Sequence, residues 1–321
     1  MKILIIPGLT LPEVSDDDLE RIRTAAGAGA HVVVTSARQA HEHAEDADAI
    51  LGFVPPPLFQ AAPRLRWVHA IASGVDAFLY PEFAQSDVVL TSEKGLVGEH
   101  LADHAFGLLL MLTRQLATAL KHGPDAWNHR PEMRRLEIEL SGLTMGIVGF
   151  GGTGRAVARR AAAFGMHCRA IDRDPVPTSP EVAAVGRSPD FHALLAGSDV
   201  IDVCVPLTRE TRGMFDAAAF ASMKPSAILV NVTRGEVMDE AALVDALDKG
   251  RIGGAALDVA PREPLPADSP LWRIPNVVMT PHTAGASQYR AARNIDRFVA
   301  NIARLRRGEP LEGIIDKALG Y

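Results

Sequence analysis

Several features that define special classes of protein are scarce or missing in this sequence. Its 321 residues include only two cysteines, Cys168 and Cys204, too few for a disulfide framework or a cysteine-based metal site. Both lie in apolar stretches, so we expect them to be reduced core thiols. The longest apolar run lies near residues 105–112 and is far shorter than the roughly 18 residues that a membrane span needs. These absences exclude a disulfide-stapled protein and a membrane-spanning one.

Charge of one sign is not in large excess either. Lys and Arg number 33 against 39 Asp and Glu, so the formal net charge of −6 gives no broad basic surface for nucleic acid. The first residues, MKILIIPGLT, contain an apolar segment too short for a signal peptide, and they predict a first strand. We therefore expect a cytoplasmic protein that binds neither nucleic acid nor membrane and that has about two domains for its length.

Short apolar runs alternate with helical patterns along the chain, which predicts the α/β class, with parallel sheets covered by helices. The runs are continuous rather than alternating, as strands buried on both faces require. A leucine-rich stripe predicts one long helix over 99–121, and the polar segment that follows, 122–135, separates two series of strands. Trp127 in that segment is expected to pack rather than to line a substrate pocket. Further helices are predicted at 239–249 and 287–307, and strands at 2–6, 31–35, 49–54, 67–71, 88–91, 144–149, 167–171, 200–205, 227–232, 254–259 and 276–279.

A glycine-rich loop follows the strand predicted at 144–149. Gly149, Gly151 and Gly154 fill the pattern G-x-G-x-x-G, in which glycines allow a tight turn, a close approach of a pyrophosphate, and close packing of helix on strand. The amides at the start of the next helix then face the diphosphate. Asp172 ends the second strand of the unit, where an acid binds the ribose 2′-hydroxyl. This carboxylate would repel a 2′-phosphate and favours NAD over NADP, although Arg173 beside it works against that preference.

Three charged or ionisable residues follow predicted strands in the second half, at the sheet edge where α/β proteins bind ligands. Arg234, Glu263 and His282 suit the reduction of a 2-oxo acid. The arginine would bind the carboxylate, the histidine would supply a proton, and the glutamate would hold the histidine charged. Each residue also has a simpler explanation, as an ion-pair partner, a loop acid and a turn residue respectively.

Several spaced segments together resemble the D-2-hydroxyacid dehydrogenases, over nearly the whole chain. The matching segments are SGVDAF (73–78), GEHLADHAFGLLL (98–110), GFGGTG (149–154), CVPLTRETRG (204–213), NVTRG (231–235), ALDVAPREPLP (256–266) and TPHTAG (280–285). The resemblance implies hydride transfer between NAD(H) and C2 of a small D-2-hydroxy or 2-oxo acid, with glyoxylate and hydroxypyruvate as leading candidates.

The resemblance also implies roles for individual residues. Arg234, Glu263 and His282 would form the catalytic trio, with Arg234 and His282 also binding the substrate. The backbone of Ser73 and Gly74 would donate hydrogen bonds to the substrate carboxylate. The residues that would line the cofactor are Gly149, Gly151, Gly152, Thr153, Gly154, Asp172, Pro206, Thr211, Val232, Asp258 and Gly285.

Members of this family have two Rossmann-like or flavodoxin-like domains, with the cofactor domain inserted into a discontinuous substrate domain. Here the resemblance implies a substrate domain of 1–98 with 286–321, a cofactor domain of 99–285, and a homodimer formed through the cofactor domains. Corepressor-like proteins that sense NAD(H) share this fold and remain the alternative function. The spacing of His100 and His104 would allow a shared metal ion, but HLADH lacks the glutamate of a zincin motif, and we predict no metal site.

Overall fold

The computed structural model describes all 321 residues, and the chain divides into two compact units, Met1–Val97 with Ala286–Tyr321 and Gly98–Gly285. Each is an α/β unit, as predicted. No helix in the structure combines the length and the apolar character that crossing a membrane would require.

The first unit is built on a five-stranded parallel sheet. Its strands are β1 (Lys2–Ile5), β2 (His31–Val34), β3 (Ala49–Leu51), β4 (Trp67–His69) and β5 (Val89–Thr91), in the order β2-β1-β3-β4-β5. This is the flavodoxin-like order of a doubly wound sheet. The helices of the unit are α1 (Asp16–Ala26), α2 (Pro56–Gln60), α3 (Pro81–Ala84) and α11 (Arg290–Arg307).

Successive side chains of β1 show why the strands are continuously apolar. Ile3 and Ile5 pack with α1 and α11 on one face of the sheet, whereas Leu4 packs on the opposite face with residues such as Leu58 of α2. Both faces are covered, so no position of the strand is left for a polar residue.

The second unit contains a seven-stranded parallel sheet. Its strands are β6 (Thr144–Val148), β7 (His167–Ile171), β8 (Val185–Gly186), β9 (Val200–Val203), β10 (Ile228–Asn231), β11 (Gly254–Leu257) and β12 (Val277–Met279), in the order β12-β11-β10-β9-β6-β7-β8. The order reverses at β6, so the crevice between the loops after β6 and β9 is the switch point where such sheets bind ligands. The helices are α4 (Gly98–Thr113), α5 (Leu116–His122), α6 (Ala126–Leu136), α7 (Gly152–Ala163), α8 (Phe191–Gly197), α9 (Ala217–Ser222) and α10 (Glu240–Asp248).

The helix predicted over 99–121 is divided in the structure into α4, which ends at Thr113, and α5, which begins at Leu116. α4 ends at Thr113 because the carbonyl of this residue accepts a hydrogen bond from the amide of Ile138 at 2.7 Å and Gln115 adopts a left-handed backbone with φ of 54°. Leu116 and Leu120, which continue the leucine-rich stripe along the sequence, are 46% and 75% exposed.

The polar segment that follows separates the two series of strands, as predicted. Much of it forms α6 despite Pro131, which lies inside the helix. Trp127 of this helix is 78% exposed, so the expectation that it packs is wrong. The two-residue strand β8 was not predicted, because it is too short to produce an apolar run.

Candidate functional site

The glycine-rich loop joins β6 to α7 in the second unit. Gly149 has a φ of 97°, and a Cβ there would lie 2.7 Å from the carbonyl oxygen of Cys204. A Cβ on Gly154 would overlap the carbonyl oxygen of Gly149, so this glycine lets α7 approach the strand. Gly151 differs, because no atom lies within 4 Å of the position of its Cβ. Packing explains two of the three glycines and leaves open space beside the third.

That open space has the properties of a diphosphate site. Gly151 caps α7, and the first amides of a helix have no acceptor within the helix and attract anions. Gly152 is exposed and Thr153 is partly buried in this first turn. The loop therefore fits the pyrophosphate of a dinucleotide.

Asp172 follows β7 and binds the glycine-rich loop directly. Its Oδ2 accepts a hydrogen bond from the amide of Phe150 at 2.7 Å, and its Oδ1 accepts one from the amide of Asp174 at 3.0 Å. Arg173 pairs with Asp174 at 3.3 Å. The carboxylate predicted to bind the ribose is thus held in a fixed position beside the loop.

The other residues predicted to line the cofactor follow the strands of the same sheet. The hydroxyl of Thr211 donates to the carbonyl oxygen of Pro206 at 2.6 Å and accepts from the amide of Thr208 at 2.8 Å, which closes the loop after β9. Val232 follows β10 and is buried, and Gly285 lies beyond β12 at the end of this unit.

His282 and Glu263 are brought together by the loops after β12 and β11. Nδ1 of His282 lies 2.7 Å from Oε2 of Glu263, and the other carboxylate oxygen accepts from the amide of Ala260 at 3.0 Å. Both side chains are accessible, 42% and 38% exposed. His282 has a φ of 54°, and its amide donates to the carbonyl of Asp258 at 2.7 Å. The pair is therefore fixed by backbone hydrogen bonds and open to a ligand.

Arg234 follows β10 on a loop that touches the loop carrying Glu263. Its carbonyl accepts from Nδ2 of Asn231 at 2.9 Å, and its guanidinium donates to the carbonyl of Thr233 at 3.0 Å. Gly235 comes next, and a Cβ on it would overlap the carbonyl group of Ala260. Only glycine allows this approach of the two loop backbones.

Asp258 holds the loop of His282 through hydrogen bonds to its carboxylate. Its fully buried carboxylate accepts hydrogen bonds from the amides of Thr283 and Ala284 at 2.9 and 2.7 Å and from the hydroxyl of Thr280 at 2.5 Å. Nε2 of His104 lies 2.7 Å from the same hydroxyl. The sequence did not predict a role for Thr280, and it presented His104 only as half of a possible metal pair. The signal that pointed to this region was the segment TPHTAG itself.

Ser73 and Gly74 lie in the first unit, after β4. Both are partly buried, and neither amide donates a hydrogen bond to a protein acceptor. These amides are thus available to a ligand, as the prediction of their role requires.

Comparisons with known proteins agree with this geometry. Residues 106–284 match the family model described as "D-isomer specific 2-hydroxyacid dehydrogenase, NAD binding domain". The chain is 37% identical over 277 residues to a glyoxylate reductase of Korarchaeum cryptofilum. The aligned region covers 84% of this chain and 82% of that protein.

Two solved structures illustrate the range of similar proteins. An NADPH-dependent glyoxylate/hydroxypyruvate reductase of Sinorhizobium meliloti, in complex with NADP and sulfate, has a TM-score of 0.81 and 30% identity over the full length of both chains. An NAD-dependent formate dehydrogenase of Staphylococcus aureus, in complex with NAD, has a TM-score of 0.75 and 26% identity, with 98% of this chain and 99% of that one covered.

Proposed function

The chain belongs to the D-isomer specific 2-hydroxyacid dehydrogenases, and we propose that it interconverts small 2-oxo acids and D-2-hydroxy acids, with glyoxylate and hydroxypyruvate as the leading oxo acids. The observation that carries this proposal is the contact between His282 and Glu263, at 2.7 Å on an accessible loop. The second unit supplies a nucleotide-binding loop on the same sheet. Reductases of these two acids are among the most similar proteins.

In the proposed mechanism, the loop of Gly149, Gly151 and Gly154 would hold NAD(H), which when bound would supply hydride chemistry at C2 of the substrate. Nδ1 of His282 donates a hydrogen bond to Oε2 of Glu263. This leaves Nε2 free to exchange a proton with the substrate oxygen. During reduction this imidazole is charged and acts as a general acid, and during oxidation the neutral ring acts as a base. The carboxylate of Glu263 stabilises the charged form.

Arg234 is proposed to bind the substrate carboxylate and to polarise the carbonyl group at C2. A guanidinium binds a carboxylate through two parallel hydrogen bonds, which fixes its orientation, and its charge opposes the negative charge that develops on the oxygen. The amides of Ser73 and Gly74 are proposed as further donors to the substrate carboxylate.

We propose NAD(H) rather than NADP(H) as the preferred cofactor. Asp172 carries its negative charge at the ribose position, and Arg173 beside it is paired with Asp174. A 2′-phosphate would therefore meet a carboxylate and an arginine whose charge is already compensated. Similar proteins are found with NADP and with NAD, so this preference belongs to the individual chain and needs its own test.

A homodimer formed through the cofactor unit is also proposed. Large apolar side chains on α5 and α6 are unusually exposed for a monomer, namely Leu116, Leu120, Trp127 and Leu136. Light scattering should give twice the 34.3 kDa mass of the chain.

The test of the proposed activity is the oxidation of NADH with a panel of 2-oxo acids of increasing size, followed by chiral analysis of the product. We expect turnover with the smallest acids and a product of D configuration wherever C2 becomes a stereocentre. Tight binding of NADH without turnover of any acid would instead support a protein that only senses the cofactor.

A further inference from the structure

A short turn between α5 and α6 carries three side chains that ligate metals. His122 is the last residue of α5, Asp125 ends the 3-10 helix Gly123–Asp125, and His129 lies one turn into α6. Gly123 turns the chain with a φ of 55°, in the left-handed region that favours glycine. A continuous helix would hold His122 and His129 about 10 Å apart along its axis, whereas this turn brings the two side chains into contact.

The three side chains are in contact. The rings of His122 and His129 lie with their centroids 3.7 Å apart and their planes within 20° of parallel. Nε2 of His129 lies 3.1 Å from Oδ2 of Asp125. One ligand atom from each of the three residues falls within 4.8 Å of the other two. The side chains of Asp125 and His129 are 59% and 36% exposed in the single chain.

We propose that His122, Asp125 and His129 form a Zn²⁺ site. Two imidazoles and one carboxylate are a donor set that suits zinc and related transition metals, whereas Mg²⁺ and Ca²⁺ prefer oxygen ligands alone. Zinc bonds of about 2.0–2.1 Å at tetrahedral angles put ligand atoms roughly 3.3 Å apart. The contact between Asp125 and His129 already has this length. The two imidazole rings are stacked in the structure, so their side-chain torsions must change before a nitrogen of each ligates the ion, and water would complete the fourth position.

This site lies outside the proposed reaction, and the sequence analysis, which weighed His100 and His104 as a metal pair, did not predict it. His104 is bound to Thr280 in the structure, so that pair is not the site. An ion bound by His122 and His129 would join the end of α5 to the start of α6. It would therefore stabilise the turn and would have no part in catalysis.

The test is titration of the full-length chain, without a histidine tag and stripped by EDTA, with Co²⁺ and then with Zn²⁺. We expect one Co²⁺ per chain, with the visible absorption of tetrahedral cobalt, and its displacement by Zn²⁺. The variants His122→Asn, Asp125→Asn and His129→Asn should each bind more weakly by about tenfold or more, since even the loss of an outer-shell partner costs about 10–100-fold.

His192→Asn is the matched control, because His192 is exposed on α8 and hydrogen-bonded to Ser222 at 2.8 Å. It should bind both metals like the wild type. Thermal unfolding without metal shows whether each variant folds, and added Zn²⁺ should raise the Tm of the wild type and of His192→Asn alone. The proposal is overturned if the wild type binds no stoichiometric metal, or if the variants at 122, 125 and 129 that fold bind it as tightly as the control.

Discussion

At the scale of the residue, the contact between His282 and Glu263 determines which nitrogen of the imidazole is available for chemistry. Glu263 is itself held by the amide of Ala260, and His282 by the carbonyl of Asp258, so neither side chain has to be ordered when a substrate binds. Such preorganisation is what general acid catalysis and charge stabilisation need. The carboxylate of Glu263 contributes its charge in addition to its position.

Glu263→Gln removes the negative charge and leaves one amide oxygen, which can accept from Nδ1 of His282 or from the amide of Ala260 but not from both, as the carboxylate does. We expect the reduction rate at neutral pH to fall by about 10²-fold, at the lower end of what acid catalysis contributes. Steady-state rates at neutral pH measure this loss, with the exposed Glu309→Gln as the control. Equal rates for the two variants would show that the charge of Glu263 has no role.

Asp172→Asn tests the choice of cofactor. The amide oxygen can still accept from the amide of Phe150, so the loop keeps its anchor while the charge is removed. The ratio of kcat/KM for NADH to that for NADPH should fall by about tenfold or more, which corresponds to the loss of one charge repulsion near the protein surface. An unchanged ratio would mean that another residue selects the cofactor.

At the scale of the element, the sequence predicted the sheets better than the helices beside them. Strands buried on both faces leave a continuous apolar run, so every strand but β8 was predicted within a few residues. The break after Thr113 was not predictable, because it depends on a hydrogen bond from Ile138, which is distant in sequence. The motifs likewise pointed to His282 and Glu263, which lie in contact, while the hydrogen bonds from the partly buried Thr280 and His104 carry no local pattern.

Gly235→Ala tests the contact between the loops of Arg234 and Glu263. The added Cβ would overlap the carbonyl group of Ala260, so the two loops must separate. A displacement of about 1 Å in a catalytic constellation can cost about 10²-fold in rate, and we expect a loss of that order in kcat/KM for the oxo acid. Gly107→Ala is the matched control, because Gly107 is in α4 with open space around it.

The control should keep full activity and gain stability, since replacing glycine by alanine inside a helix contributes about 0.5–1 kcal/mol. Full activity in Gly235→Ala as well would show that the loops do not need this contact.

At the scale of the whole molecule, the buried carboxyl group of Asp202 links stability to pH. Burial in β9 raises its pKa from 3.8 to about 7, although the thiol of Cys204 donates a hydrogen bond to it at 3.2 Å. The unfolded chain gives up this proton near pH 4, whereas the folded chain keeps it until about pH 7. The contribution of this group to the free energy of unfolding therefore falls as the pH rises from about 4 to about 7. It does not fall further above about pH 7.

Asp202→Asn removes that dependence. Urea unfolding at several pH values between 4 and 8 should show the wild type losing stability relative to the variant, by up to about 1.4 kcal/mol per pH unit. The difference between the two proteins is the relevant quantity, because it cancels the contributions of other carboxylates. A constant difference across this range would show that Asp202 is not protonated in the folded protein.

The central claim is that His282 exchanges the proton with the substrate, in a chain whose family membership is now established. The most direct measurement is the turnover of the preferred 2-oxo acid by His282→Gln, together with the Kd for NADH obtained from protein fluorescence. The account predicts a fall in kcat of about 10²–10⁴-fold with the affinity for NADH unchanged. A variant that turns over the acid at the wild-type rate would contradict it.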